Sequence, residues 1–255
     1  MAGLTSVSLP HLTGADWPGV RYFCTRRQGG VSHGSLSSLN LALHVKDDPE
    51  HVAINRARLA MHLPSEPIWL NQVHGTDVFD ADLLDAPIAA PPTADALVTT
   101  QVGRVLAVMS ADCLPVVVAG ENAGALGVAH AGWRGLAAGV LENTIDSLAG
   151  KQAMGGLRAW IGPGIGQSHF EVGDEVRAAF ADHDAHAAVY FKPTQVKGKW
   201  MADLAGIARH RLLRAGVSHV ESCGQCTFEN SDDFYSHRRD PASGRMATVA
   251  WLTAV

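Results

Sequence analysis

Three side chains stand where a short apolar run meets a turn containing Gly or Pro: His74 in WLNQVHGTDV, Cys113 in AVMSADCLPVVV and His130 in LGVAHAGWRG. Strand ends bring side chains from distant parts of a chain to one cleft. One thiolate and two imidazoles form a ligand set that zinc accepts, leaving a fourth position for water or substrate. Such an open site lowers the pKa of bound water and polarises a bond. Copper competes for the same nitrogen and sulfur donors. A cysteine hydrolase would use the same residues, with Cys113 as nucleophile and His130 or His74 as base. Each residue also has a plainer reading. A Cys inside an apolar run packs as a small core residue, and a His before Ala-Gly can be a hydrogen-bonded core group. The spacing of the three matches no local metal signature, so the residues alone leave these alternatives open.

Two other groups of residues could carry chemistry. Cys223-Gly-Gln-Cys226 has the CxxC spacing of redox and zinc-knuckle motifs. The stretch after it, TFENSDDFYSH, looks irregular rather than helical, and no second ligand pair lies nearby, so a structural role is expected. The second group is cationic: Arg26 and Arg27 before Gln28-Gly29-Gly30, Arg134 in Gly132-Trp133-Arg134-Gly135, and Arg238 and Arg239 in FYSHRRDPASGR. Gly-rich turns and helix N-termini expose N–H groups to anions, and Arg adds a bidentate clamp. The GWRG turn is the expected anion position, against the alternative of turn glycines and arginines paired with surface acids. Neither a GxxxxGK[ST] loop nor a strand-linked GxGxxG occurs, and GPGIG at Gly162 to Gly166 does not fit the dinucleotide fingerprint.

The elements that must position these residues read as alternating strands and helices. GVRYFCTRR predicts a strand over Val20 to Thr25, and DDPEHVAINRARLAMHL a helix from Pro49 to about His62. Asp48 is its expected N-cap, and Val52, Ile54, Leu59 and Met61 are its apolar residues. PIWLNQVHG reads as a strand ending near His74, and Pro87 to Thr93 as an Ala-Pro-rich loop. VLAVMS, PVVVAG and ALGVAHAG are short apolar runs bounded by Gly, Pro and Asn, the pattern of strands buried on both faces. Helices are expected at Gly135 to Leu148, in VGDEVRAAFADH and in KWMADLAGIARHRLLRAGV. Strands are expected in LRAWIG, VSHVESC and MATVAWL. The pattern predicts an α/β or α+β fold, with mixed β-sheets covered by helices, as a single domain over residues 1–255.

Composition limits the classes. With 255 residues, 47% hydrophobic and 18% charged, the chain can bury a sizeable core. Its net charge of −5 offers no basic footprint for nucleic acid. No apolar run of about 18 residues exists to span a membrane. MAGLTSVSLPHLTGADWPG has no basic segment followed by an apolar one, so no secretion signal is expected. Four cysteines are too few for a disulfide scaffold in a chain this long, which points to a reducing cytoplasm.

NQVHG, ADCLPV, AHAGWRG, IGPGIG followed by FEVGDEV, and FYSHRRD with SGR downstream together resemble the YfiH/YlmD family. Its members have been called laccase-domain proteins, polyphenol oxidases and peptidoglycan editing factors. The resemblance runs in order from TRRQGGVS to the final strand. It implies mixed β-sheets in a layered sandwich covered by helices. It also implies metal ligands at His74, Cys113 and His130, and Zn2+ as the metal. The implied chemistry is phosphorolysis of adenosine, inosine, guanosine and methylthioadenosine, with adenosine deamination in the same pocket. The implied partners are purine nucleosides and phosphate. Arg26, Asn71, Gln72, Asp112 and Arg134 are the candidate substrate-orienting residues. His237 departs from the family, where Tyr is more usual. A copper polyphenol oxidase is the first alternative. A multicopper mechanism would need many histidines, commonly in His-x-His pairs, and no such pair occurs, though Cu2+ could bind the three donors adventitiously. A cysteine hydrolase or amidase acting on peptidoglycan precursors is the second.

Overall fold

The computed structural model describes residues 9–85, 90–151 and 155–254. The start of the expected Ala-Pro loop and residues 1–8 lie outside these. In chain order the elements are β1 (His11–Leu12), β2 (Val20–Thr25), α1 (Pro49–Ala60), β3 (Val78–Asp80), β4 (Ala96–Thr99), β5 (Leu106–Ser110), β6 (Leu114–Gly120) and β7 (Leu126–Ala131). They continue with α2 (Trp133–Ala138), α3 (Val140–Ala149), β8 (Leu157–Ile161), β9 (Glu171–Gly173), α4 (Asp174–Ala181), β10 (Phe191–Pro193), β11 (Lys199–Ala202), α5 (Leu204–Arg214), β12 (Val217–Ser222) and β13 (Met246–Leu252).

These strands form a mixed fold. One sheet runs β1-β2-β13-β5 and is antiparallel throughout. The larger sheet runs β12-β8-β6-β7-β4-β3, with β12 parallel to β8 and β3 parallel to β4. A small third sheet runs β10-β11-β9.

The continuous apolar runs are explained by layering. Along β6, Val116 and Val118 pack toward the helices, while Val117 and Ala119 pack toward the four-stranded sheet. Along β5, Leu106 and Val108 join that inter-sheet core, while Ala107 and Val105, just before the strand, face the α1 side with Leu59 and Leu41. A strand buried on both faces loses the polar alternation of a half-exposed one. The layers are therefore α1 and its loops, the four-stranded sheet, the six-stranded sheet, and helices α2 to α5.

Several expectations change. PIWLNQVHG is not a strand. Only Ile68 and Asn71 make isolated bridges, to Leu106 and Thr93, and His74 lies at φ 60°, outside the extended region. In α1, Asp48 caps the helix as expected by accepting from Glu50 N. Its buried face, however, is Val52, Asn55 and Leu59, with Ile54 and Met61 exposed. Asn55 is admitted to the core because its amide donates to Ser32 and to the Ser38 and Asn40 carbonyls. The helix expected over Gly135 to Leu148 is two helices, divided at Gly139 with φ 109°. In KWMADLAG, Lys199–Ala202 is strand β11, and the helix starts only after Asp203, whose carboxylate caps it at Gly206 N.

Candidate metal centre

The β5–β6 turn carries the chain from one sheet to the other, and Cys113 sits at this crossing. Across β6 and β7, Pro115 pairs with His130, and across β4 and β7, Ala96 pairs with Ala129. These registers bring Cys113, His130 and Asp95 to the same end of the large sheet. The 72–75 loop lies over that end and supplies His74.

The three candidate ligands converge. One donor atom from each of His74, Cys113 and His130 lies within 4.8 Å of the others. Cys113 Sγ is 3.8 Å from His74 Nε2, and the two imidazoles are 4.9 Å apart at 76°. Metal–nitrogen and metal–sulfur bonds of about 2.0–2.3 Å put neighbouring tetrahedral donors about 3.5 Å apart, so this set fits a zinc-type ion with one position open. The candidate ligands range from exposed His74 to His130, only 4% exposed.

Asp95 organises the centre. It is fully buried. Its carboxylate accepts from His130 Nδ1 at 2.8 Å and from the backbone N–H groups of Val73, His74 and Gly75 at 3.1, 3.0 and 2.7 Å. Burial alone would raise its pKa, but the His130 bond and the backbone donors outweigh that and hold it ionised below the usual carboxylate range. These bonds also hold His74 at its left-handed φ, a conformation that costs energy unless its surroundings enforce it.

Cys113 and His130 shift each other. Burial pushes the thiol up, but His130 and His74 overcome this and bring it below its ordinary value. Burial pushes His130 down, but Cys113 and Asp95 overcome this and raise it. Electrostatically, the pair favours thiolate beside imidazolium when no metal is bound.

The glycines of AHAGWRG make this crowding possible. A Cβ at Gly132 would stand 2.8 Å from His74 Cδ2 and 3.0 Å from Cys113 Sγ, and one at Gly135 would stand 2.6 Å from the Gly75 carbonyl oxygen. Only glycine lets α2 start directly beneath the ligand loop.

The centre opens into a cavity of about 500 Å³, whose lining includes Asn71, Gln72, Ser110, His44, His237 and Arg245. That volume lies within the about 300–1,000 Å³ typical of small-molecule pockets. A larger groove of about 600 Å³, near Trp69 and Arg104, holds none of the candidate ligands.

The candidate substrate residues divide. Asn71 lines the cavity, and its amide donates to Thr93 Oγ1 at 3.0 Å. Gln72 also lines it, but its amide both donates to and accepts from the Met109 backbone at 2.8 Å, standing in for a neighbouring strand. Asp112, at φ 86°, accepts from Thr227 Oγ1 and the Arg238 N–H, so its carboxylate fixes the Cys113 turn. Arg26 and Arg134 lie outside the cavity lining. Arg26 pairs with Asp233, and Arg134 stacks over Trp133, 4.3 Å from the ring. The expected anion position at GWRG therefore does not open on this cavity, and α2 has only six residues.

Cys223 and Cys226 are free thiols. Cys226 Sγ accepts from Gly166 N at 3.2 Å and groups with His169 and Glu229 as a second set of metal-type donors. Sequence reasoning missed Asp95, Ser110 and Arg245. The only signals were an acidic residue entering the apolar run ADALV, and the SGR that precedes the last strand.

The fold and centre define a class: a two-sheet sandwich with a His-Cys-His donor set at the crossing between its sheets. The chain belongs to the YfiH family; residues 21–253 match the family described as multi-copper polyphenol oxidoreductase laccase. It is 47% identical to a purine nucleoside phosphorylase of Xylella fastidiosa over 251 residues, covering 93% of this chain and 95% of the relative. It is 45% identical to purine nucleoside phosphorylase YfiH of Escherichia coli over 242 residues, covering 93% and 97%. The crystal structure of Neisseria meningitidis protein NMB0706 superposes with a TM-score of 0.86 at 42% identity, covering 96% of this chain and 99% of that one. The laccase description implies a metal, and the His74–Cys113–His130 grouping offers the donors for one. Among the described residues, no helix is long and apolar enough to cross a membrane.

Proposed function

We propose that this chain is a zinc-dependent purine nucleoside phosphorylase acting on adenosine, inosine, guanosine and methylthioadenosine, with adenosine deamination in the same pocket. The observation that carries this reading is the convergence of His74, Cys113 and His130 at one end of a nucleoside-sized cavity, in a chain whose relatives bear the phosphorylase name. Held by these three side chains, zinc would supply Lewis acidity at the cavity wall.

The protein's own residues supply position. Asp95 fixes the tautomer of His130 and the path of the His74 loop. Leu70 and Met109 give the cavity an apolar wall for a purine ring, and the Asn71 amide lies at that wall for a ring nitrogen or a ribose hydroxyl. In phosphorolysis, a phosphate oxygen forms the bond to ribose C1′ and the C1′–N9 bond breaks. The electron pair leaves on the purine, which takes up one proton. Holding the two reactants in line supplies much of the rate.

A cysteine hydrolase is the second reading, favoured by the lowered Cys113 thiol beside two imidazoles. Copper chemistry has the family description behind it, but one thiolate and two imidazoles provide at most a single copper site.

The test is metal analysis of protein purified without added metal, together with the variants Cys113→Ala and His130→Ala. About one zinc per chain is expected, with both variants losing zinc and nucleoside turnover together. Full turnover in either variant, or turnover only after copper loading, would overturn the zinc reading.

A further inference from the structure

Two polar side chains line the cavity beside the candidate metal centre: Ser110, whose hydroxyl lacks a hydrogen-bond partner, and Arg245, whose guanidinium lacks a counter-charge among the described residues. Ser110 ends β5 and is 2% exposed, and its Oγ has no hydrogen-bond partner. Arg245 immediately precedes Met246, which pairs with Ser110 across the β5–β13 ladder. Both line the cavity that holds Cys113 and His130. Buried hydroxyls are almost always satisfied, so an orphan on a residue of the cavity wall marks a place where a ligand atom can complete the bonding.

Arg245 is the more telling of the two. Its Nη1 donates to the carbonyls of Ser243 and Gly244 at 2.7 and 3.0 Å. Among the described residues, no carboxylate lies within ion-pair distance of its guanidinium. Burial disfavours its charge, and Cys113 and Asp112 offset this only from a distance. The Asp112 carboxylate is already taken by Thr227 and the Arg238 N–H. At the cavity mouth, burial lowers the pKa of His44, and Arg245 and Arg56 lower it further. The two arginines make the field there positive. A partly buried cation without a counter-charge is unfavourable until an anion arrives.

We infer that Arg245 and Ser110 form an oxyanion subsite that takes inorganic phosphate beside the metal centre. Its use as the co-substrate site rests on the phosphorylase reading; its existence does not. Arg presents the paired N–H geometry that phosphate oxygens match, and the Ser110 hydroxyl donates to a third oxygen. The anion site expected at GWRG is thereby moved to the residue before β13.

The experiment is titration of inorganic phosphate into the zinc-loaded and the zinc-stripped protein by calorimetry, with Arg245→Ala, Arg245→Lys and Ser110→Ala. Zinc content and thermal melting of each variant show that it is folded. Ser110→Ala tests the same subsite without changing charge. Arg245→Ala should weaken phosphate about tenfold to a hundredfold, and the other two less. Zinc-stripped protein should keep the dependence on Arg245. Phosphate binding by the unaltered protein without phosphate-dependent base release would keep the subsite and remove the phosphorylase reading. Phosphate-dependent release with unchanged phosphate affinity in folded Arg245→Ala would do the reverse. No phosphate binding by the unaltered protein, or binding lost with zinc and indifferent to Arg245, would overturn the subsite.

Discussion

Asp95 Oδ1 accepts from His130 Nδ1 at 2.8 Å, and the same oxygen accepts from the backbone N–H of His74 at 3.0 Å. One buried carboxylate therefore aims both imidazoles of the centre. With Nδ1 committed to Asp95, the other ring nitrogen of His130 is left for Cys113 and a metal. The first expected outcome concerns Asp95→Asn, which keeps the volume but turns an N–H pair toward donors. Metal affinity should fall about 10- to 100-fold. Asp95→Ala should also destabilise the fold by about 3–5 kcal/mol, because three backbone donors and His130 lose their acceptor. Zinc competition with a chromogenic chelator, together with urea melts, measures both. Unchanged affinity in Asp95→Asn would show that His130 needs no such partner.

Metal removal should expose one thiol above the others. Burial raises Cys24 to about 12 and Cys223 to about 11, whereas the two imidazoles hold Cys113 below its ordinary value. The thiolate is the reacting form. In chelator-treated protein near neutral pH, iodoacetamide should modify Cys113 well before Cys24 or Cys223, and added zinc should protect it. Peptide mapping by mass spectrometry reads the order. Equal labelling of Cys113 with and without zinc would place the metal elsewhere.

Gly132→Ala separates crowding from folding. The backbone there is extended (φ −67°, ψ 158°), which alanine adopts freely. Its Cβ would nonetheless press on His74 and Cys113. Weaker metal binding is expected, with a stability loss of about 1–3 kcal/mol from local overpacking. A variant that binds metal normally would mean that the ligand loop has slack.

How much of this could be read from the chain depends on where each signal lies. β5, β6 and β7 were legible because burial on both faces writes an unbroken apolar run. His74, Cys113 and His130 were legible as apolar runs meeting turns. The 67–74 segment misled, because PIWL has strand composition while its backbone pairs only at the isolated bridges of Ile68 and Asn71, and the Gln72 side chain takes the place of a backbone partner at Met109. Asp95 and Arg245 carried no local pattern: their roles come from cross-strand register, which joins residues far apart in sequence. Arg26 and Arg134 drew attention by charge, which says nothing about which surface a side chain faces.

The acid limb of stability should report Asp82. Burial would raise this carboxyl, but Lys151, Thr99 and Thr100 outweigh it and bring it to about 2. An unfolded Asp titrates near about 3.9. The contribution is therefore complete above about pH 4 and is lost as pH falls from there toward 2. Asp82→Asn should cost about 1 kcal/mol at pH 7, because solvent screens the carboxylate's interactions in part. The gap between variant and unaltered protein should close in urea melts near pH 2. A gap that widens on acidification would reverse the sign of the assignment.

The most direct test of the central claim is phosphorus NMR of the zinc-loaded protein incubated with inosine and inorganic phosphate. A growing sugar phosphate ester resonance is expected, formed in step with free base, absent without phosphate and absent in Cys113→Ala. Base released with no phosphate ester, or ester formed equally by the zinc-free Cys113→Ala protein, would contradict it.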